Sequence, residues 1–280
     1  MVKKIFVFEI VAGILLLIVS YILAIIYHYN KFYTILLLGL FFILKPMYKI
    51  INKREFLSLK NFFKVYLAFF MLGIVADLIF GIWITKLWFY PDYNLINYII
   101  LYFFIYPFGG FIVIYSFALI ESLAGKKPRE RKKDYFLALN FSKILFFLGM
   151  VFLIIAILFA NSYKGFLIYV FFGLMGYGLT NYVTLKYKKD DLLERILTKT
   201  SKYVLLIAIV AYTQGIIHEF PNVFAREWIY QNFPLNNLTL LGIPIMVLLF
   251  CWLWLVVVPY SIFELVMTLN KKFKRRRDEI

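Results

Sequence analysis

The sequence predicts an all-α fold, a polytopic membrane helical bundle of about eight transmembrane helices in two parallel four-helix repeats. Three observations predict it. Hydrophobic residues make up 64% of the 280 positions and charged residues only 16%, with a mean hydropathy of +0.84, a balance outside that of soluble domains. Eight apolar runs lie near the ~20 residues that cross a bilayer, while the short alternating segments of a membrane barrel are missing. Lys and Arg then gather in every second connection, as the positive-inside rule expects.

The first run, 5–27, follows Lys3 and Lys4 like the start of a signal peptide, but it has no convincing small-residue cleavage site and reads as the first span. Further spans are expected at 32–49, 62–85, 95–122, 135–160, 164–186, 203–219 and 238–268. The connections after the second, fourth and sixth spans, and the tail, carry five or six Lys and Arg each; HYNK, TKLWFYPDYN, NSYKG and HEFPNVFAREWIYQNFP carry one each. Both termini are therefore expected on the cytoplasmic side of a multi-pass protein in the cell membrane. The net charge of +16 follows from this topogenic charge facing anionic lipid head groups. No soluble basic domain or nucleic-acid motif accompanies it, so membrane lipids rather than nucleic acid are the expected partners.

Four spans precede the basic connector at 126–134 and four follow it, so both halves have the same orientation and a parallel duplication fits. The expected units are 1–125 and 135–270, with a basic tail at 271–280. IVAD at 74–77 matches IVAY at 209–212, LWFY at 87–90 matches EWIY at 227–230, IYPFGG at 105–110 matches LGIPIM at 241–246, and YSFALIE at 115–121 matches YSIFE at 260–264. Pro107 and Pro244 fall in apolar runs, where each is expected to kink a helix. Gly173, Gly176 and Gly178 are expected to let another helix approach the sixth span closely.

Asp77 lies deep in the third run, where a carboxylate is costly and so should face the bundle interior, paired, protonated or working. Gln214 sits at a similar depth in the seventh run and suits a helix-to-helix hydrogen bond as well as a ligand contact. His218 and Glu219 follow at the outer end of that run and can supply acid or base groups if partly buried; Glu227 and Arg226 sit in a loop expected to be more exposed. Trp88, Tyr90, Trp228 and Tyr230 suit an interfacial aromatic belt. Their recurrence beside polar residues in both halves also suits the lining of a substrate site. Glu121, Glu264 and Glu9 are expected to pair with Lys or Arg at the head-group level, and Asn181 to bridge helices.

One cysteine, Cys251, leaves no disulfide or cysteine metal site within the chain. The two histidines, His28 and His218, fall on the same side as Asp92, Glu219 and Glu227, but no HExxH or ExxH spacing supports a metal centre, and no cofactor is expected. Walker, Rossmann, kinase and GxSxG motifs are missing, which disfavours a primary pump.

The plan of a membrane helix with an acidic residue, then GIWITKLWFYP, then a proline-containing helix, resembles lycopene cyclase and carotenoid hydratase-type integral membrane proteins over about 50 residues of each half. Those cyclases have Glu after the proline, whereas this chain has Pro107-Phe108 and Pro244-Ile245, so that chemistry does not carry over to these positions. The resemblance implies a lipid-accessible cavity for an isoprenoid or related apolar substrate, with Asp77 as the first candidate acid and Glu219 as the second. The expected function is an isoprenoid- or lipid-modifying enzyme using acid catalysis. A small transporter or lipid carrier, and a non-catalytic membrane subunit, stand as the alternatives.

Overall fold

The structure, a computed structural model, describes residues 2–82, 84–125, 135–160, 163–188, 191–198 and 200–278; the basic connector expected at 126–134 and the last two residues of the tail lie outside the described residues. Its long helices are α1 (Val2–Ile25), α2 (Tyr33–Asn52), α3 (Leu59–Ala76), α5 (Tyr106–Leu123), α6 (Tyr135–Phe159), α7 (Lys164–Lys188), α9 (Thr200–Ala225) and α10 (Trp252–Asp278), with short helices α4 (Leu95–Ile100) and α8 (Leu192–Thr198). Eight spans among them are long and apolar enough to cross a membrane, and the chain has the make-up of an integral membrane protein. Side chains such as Phe8 on α1 and Phe159 on α6 are fully outward, which fits contact with lipid rather than water.

Among the described residues, three π-helical turns interrupt the spans: Asp77–Ile82 closing the third, Leu101–Ile105 before α5, and Val247–Cys251 before α10. Such turns insert an extra residue and re-aim the side chains that follow, a device common at functional sites. Here Tyr106 and Trp252 are the first residues after their π turns.

Prolines inside the spans free backbone carbonyls, and neighbouring helices supply the missing donors. Pro221 lies inside α9 and leaves the Ile217 carbonyl without its usual partner; the Tyr21 hydroxyl of α1 donates to it at 3.0 Å. Pro107 does the same to Phe103, whose carbonyl accepts from the Tyr66 hydroxyl of α3. With Pro221 accommodated, the seventh helix runs to Ala225, well past the expected end at 219.

The eighth span begins at Val247 rather than 238. Residues 239–244 form a hairpin, β3 (Thr239–Leu240) against β4 (Ile243–Pro244), through Leu241 (φ 54°) and Gly242 (φ 80°). Two consecutive positive φ angles are those of a tight hairpin turn, and this overrides the apolar run. Pro244 therefore sits in a strand and does not kink a helix.

Helices α5 and α10 pack together at the centre. Around them α1 packs on α2 and α6 on α7, α2 on α5 and α7 on α10, α3 on α5 and α9 on α10, with α3 also meeting α10 and α5 meeting α9. Of the sixth-span glycines, Gly178 lies against the backbone of α6 and Gly173 against Trp254, whereas Gly176 faces open space. At one end, here the aromatic end, β1 (Trp88–Phe89) pairs antiparallel with β2 (Ile229–Tyr230), Trp88 opposite Tyr230 and Phe89 opposite Ile229.

The opposite, basic end is tied by Arg195 of α8, which donates to Glu264 at 2.5 Å and to the Tyr260 hydroxyl at 3.1 Å, with Glu121 3.9 Å away. Glu264 is buried with its partner, so this pairing lies inside the bundle and not among exposed head-group contacts.

Candidate functional site

Two carboxylates stand near the aromatic end, each inside a cage of neutral aromatic donors. Asp77 begins the π turn of the third span and is fully buried. Its Oδ1 accepts from Trp88 Nε1 at 2.9 Å, from the Tyr106 hydroxyl at 2.9 Å and more weakly from the Tyr90 hydroxyl at 3.4 Å; its Oδ2 accepts from the Tyr102 hydroxyl at 3.0 Å. Three of these donors crowd Oδ1 and one meets Oδ2, so Oδ2 keeps one lone-pair position. Gly81, one turn on, makes room for this arrangement. A Cβ there would stand 2.5 Å from Asp77 Oδ1 and 2.6 Å from Trp88 Nε1.

Glu219 has a parallel cage of three donors. Its Oε1 accepts from the Tyr230 hydroxyl at 2.6 Å and from Trp252 Nε1 at 3.0 Å, and its Oε2 accepts from Trp228 Nε1 at 3.1 Å. One lone-pair position of Oε2 is left. Both cages thus use the Trp and Tyr of the nearest connector plus the aromatic side chain that follows a π turn.

His218 and Gln214 form a chain beside Glu219. Gln214 Nε2 donates to Ser116 Oγ at 2.9 Å, which directs its Oε1 at His218 Nε2, also 2.9 Å away. An amide oxygen can only accept, so the network assigns the imidazole proton to Nε2 and makes Nδ1 an acceptor for the Tyr33 hydroxyl at 2.7 Å. Both ring nitrogens are engaged. The ring itself packs against Trp252, tilted by 35° at 5.0 Å between centroids, so His218 helps to orient a donor of the Glu219 cage.

A third carboxylate roofs this arrangement. Glu227, only 2% exposed, accepts from the Tyr93 hydroxyl at 2.5 Å and from the Tyr33 amide at 3.0 Å, joining the two aromatic connectors to the start of α2. Burial pushes its carboxyl up to about 7 from an ordinary 4.5, against the hydrogen bonds from Tyr93 and Tyr33 and the charge of Lys31, which pull the other way. Burial, reinforced by the neighbouring carboxylates, also holds the Tyr90 and Tyr230 phenols well above their ordinary value, so both remain donors.

These groups surround a cavity of about 360 Å³, in the size range of small-ligand sites. Glu219, His218, Trp88, Tyr90, Trp228 and Tyr230 all line it, whereas Asp77 lies behind Trp88, Tyr90 and Tyr106. Gln214 touches the site through His218 alone. Most of the rest of the wall is apolar and aromatic, chiefly from α3, α5, α7 and α10.

The Tyr98, Tyr102 and Tyr106 stripe was legible as a four-residue repeat on one helix face, its rings stacked at 6.2 and 6.1 Å, yet sequence reading passed over it. Trp252 lay in an apolar run and gave no signal of its own. Glu227 read as an exposed loop residue, and only the pairing of the connectors buries it. Among the described residues no group of three or more His, Cys, Asp or Glu is placed to hold a metal ion. Comparison with protein-family models, with characterised proteins and with solved structures finds no match to this chain.

Proposed function

We propose that this protein is a membrane enzyme that modifies an isoprenoid or similar unsaturated lipid by acid catalysis, with Glu219 as the proton donor. The observation that carries this reading is Glu219 itself, a carboxyl at the wall of a largely apolar, aromatic cavity, held by three neutral donors and, among the described residues, by no cation. In the proposed step the Glu219 O–H bond breaks and its proton adds to one carbon of a substrate double bond, leaving a tertiary cation on the other. Tyr230, Trp228 and Trp252 are already aimed at the oxygens that take up the negative charge, so little reorganisation is needed. The faces of cavity aromatics such as Trp254 and Tyr169 suit a passing cation. Loss of a proton from a neighbouring carbon back to Glu219 completes an isomerisation or cyclisation; capture of water, with loss of one of its protons to Glu219, completes a hydration. Neither route needs an oxidant or reductant.

We infer further that the two halves are copies of one four-helix unit related by a two-fold axis along the membrane normal. Equivalent connectors then meet antiparallel, which is the pairing of β1 with β2 about the Phe89 and Ile229 pair. The matching π turns before α5 and α10 and the matching cages around Asp77 and Glu219 support the same reading. The asymmetry of Lys and Arg supports an aromatic end that faces outward and termini that face the cytoplasm. The resemblance to lycopene cyclase and carotenoid hydratase-type proteins agrees with the proposed substrate class.

Unlabelled lipid extracts incubated in D₂O with the purified protein, or without it, test the chemistry. The expected result is deuterium at carbon in an altered isoprenoid, lost in Glu219→Gln. An unchanged lipid profile with altered uptake of an apolar compound would overturn the enzyme reading in favour of a carrier.

A further inference from the structure

The cavity runs deep along the spans that form it. Its lining extends from Cys251, the last residue of the π turn, to Ile262 of α10, and from Tyr169 to Thr180 on α7. At 1.5 Å per helical residue each stretch rises about 16 Å, close to half of a ~30 Å hydrocarbon core. A cavity of about 360 Å³ that follows the helices over this length is a bore, long for its volume. Its shape suits an extended chain rather than a compact ligand.

One side of this bore reaches the lipid-facing surface. Third and sixth spans meet at the aromatic end, where Phe80 packs edge-on against Tyr169 at 5.0 Å and Phe172 at 5.3 Å. Third and eighth spans meet at the basic end, where Lys64 and Asn61 bond Asn270. Between these two contacts lie lining residues that also face outward, Val75 on α3 at 38% exposure and Leu255 on α10 at 42%. Gly176 of α7 and Gly109 of α5 line the bore with no atom within 4 Å of a would-be Cβ.

The opposite flank is closed. There α1 packs across α9, Tyr21 bonds the Ile217 carbonyl, and Phe32, Leu36, Leu37, Leu101 and Ile105 fill the space in a separate apolar cluster. Helix α6, which occupies the position of α1 in the second half of the chain, makes its main contacts with α7 and α8 instead.

We propose that the gap between α3 and the α7–α10 pair is a lateral portal through which one long apolar lipid chain enters from the bilayer and lies along the bore with its reacting segment at Glu219. The position of that segment rests on the acid-catalysis reading above; the portal does not. No water-filled route is needed for such a guest, because its chain passes from one hydrocarbon phase to another.

The test uses the full-length protein in nanodiscs containing either a phosphatidylcholine with a diazirine near the end of one acyl chain or a diazirine-bearing polyprenol. Mass spectrometry then maps the adducts after illumination. Adducts are expected on bore segments 169–180 and 251–262, and about tenfold fewer in Gly176→Trp, whose side chain enters open space, and in Val75→Trp, whose side chain sits on the outward lip. Labelling by the polyprenol alone assigns an isoprenoid guest, and labelling by both probes a portal open to apolar chains in general. Glu219→Gln is expected to keep the bore labelling. Adducts confined to outward residues such as Leu158 and Leu205, unchanged by both Trp variants, would overturn the portal. A labelled bore with no deuterium transfer would refute the chemistry alone, and deuterium transfer with an unlabelled bore the portal alone.

Discussion

Glu227 makes the stability of the aromatic end depend on pH, in the direction opposite to that of a salt-bridged carboxylate. Its folded value of about 7 lies above the ordinary 4.5, so between those values the folded protein holds a proton that the unfolded chain releases. Stability then falls as pH rises through this window and levels off above it. A gap of about 2.5 pH units at 1.36 kcal/mol each corresponds to about 3 kcal/mol, undiminished by solvent because the side chain is only 2% exposed. By general size scaling that is several degrees in Tm. Protonated Glu227 can donate to the Tyr93 oxygen instead of accepting from it, so the clamp survives in its neutral form. The assay is thermal unfolding in nanodiscs from pH 5 to pH 8, with Glu227→Gln as the comparison. The parent is expected to fall more steeply than the variant by several degrees across this range, and the variant to end the more stable of the two at pH 8. Equal slopes in the two proteins would refute the argument.

Other sites give sharper local outcomes. Gly81→Ala forces a methyl group between Asp77 and Trp88, and should cost about 2 kcal/mol through the loss of a charged hydrogen bond, read as a lower Tm. Arg195→Ala leaves Glu264 buried with Lys188 at 3.3 Å as its remaining cation, and should lose about 3 to 5 kcal/mol; adding Glu264→Gln should recover part of it. Tyr21→Phe strips the donor from the carbonyl freed by Pro221, at about 1 kcal/mol, detectable as faster amide exchange in α9. Trp252→Phe removes one donor from Glu219, and should slow deuterium transfer on the order of 100-fold with the fold intact.

The helical bundle was legible because a chain in hydrocarbon must satisfy its backbone internally, and runs of about 20 apolar residues announce that constraint directly. Span ends were less legible where a local exception decides them. Pro221 looked like a terminator, yet Tyr21 on another helix supplies the missing donor, a contact between residues 196 apart in sequence. Pro244 looked like a kink, yet the two positive φ angles beside it make a hairpin. Of the site, Asp77, Glu219 and the four connector aromatics could be named because their polarity or their recurrence stood out from an apolar background. Matching IVAD with IVAY aligned Asp77 with Tyr212, which faces outward, whereas the residue caged like Asp77 is Glu219. Geometry relates these carboxylates through their donors, and a linear match of neighbouring letters does not register that.

The two cages differ in one respect that decides their roles. Asp77 accepts four hydrogen bonds and sits behind three of its donors; Glu219 accepts three and stands at the cavity wall. A carboxyl that gives and retakes a proton needs access to the substrate, and of these two Glu219 alone lines the cavity. Asp77 instead fixes Trp88, Tyr90 and Tyr106 as one wall of the cavity, a positioning role. Asp77→Asn keeps one accepting oxygen for Trp88 and Tyr106 and presents its amide hydrogens to Tyr102, whose hydroxyl can turn to accept. It should therefore lower Tm by a few degrees, through the loss of charged hydrogen bonds of about 1.5 to 3 kcal/mol each when unreplaced, and reduce deuterium transfer less than tenfold. Glu219→Gln should abolish transfer and lower Tm by a few degrees at most, since Gln keeps an oxygen for Tyr230 and Trp252 while Trp228 Nε1 retains the Tyr230 hydroxyl as an acceptor. The reverse outcome, transfer lost in folded Asp77→Asn and retained in Glu219→Gln, would assign the acid to Asp77 and make Glu219 the scaffold.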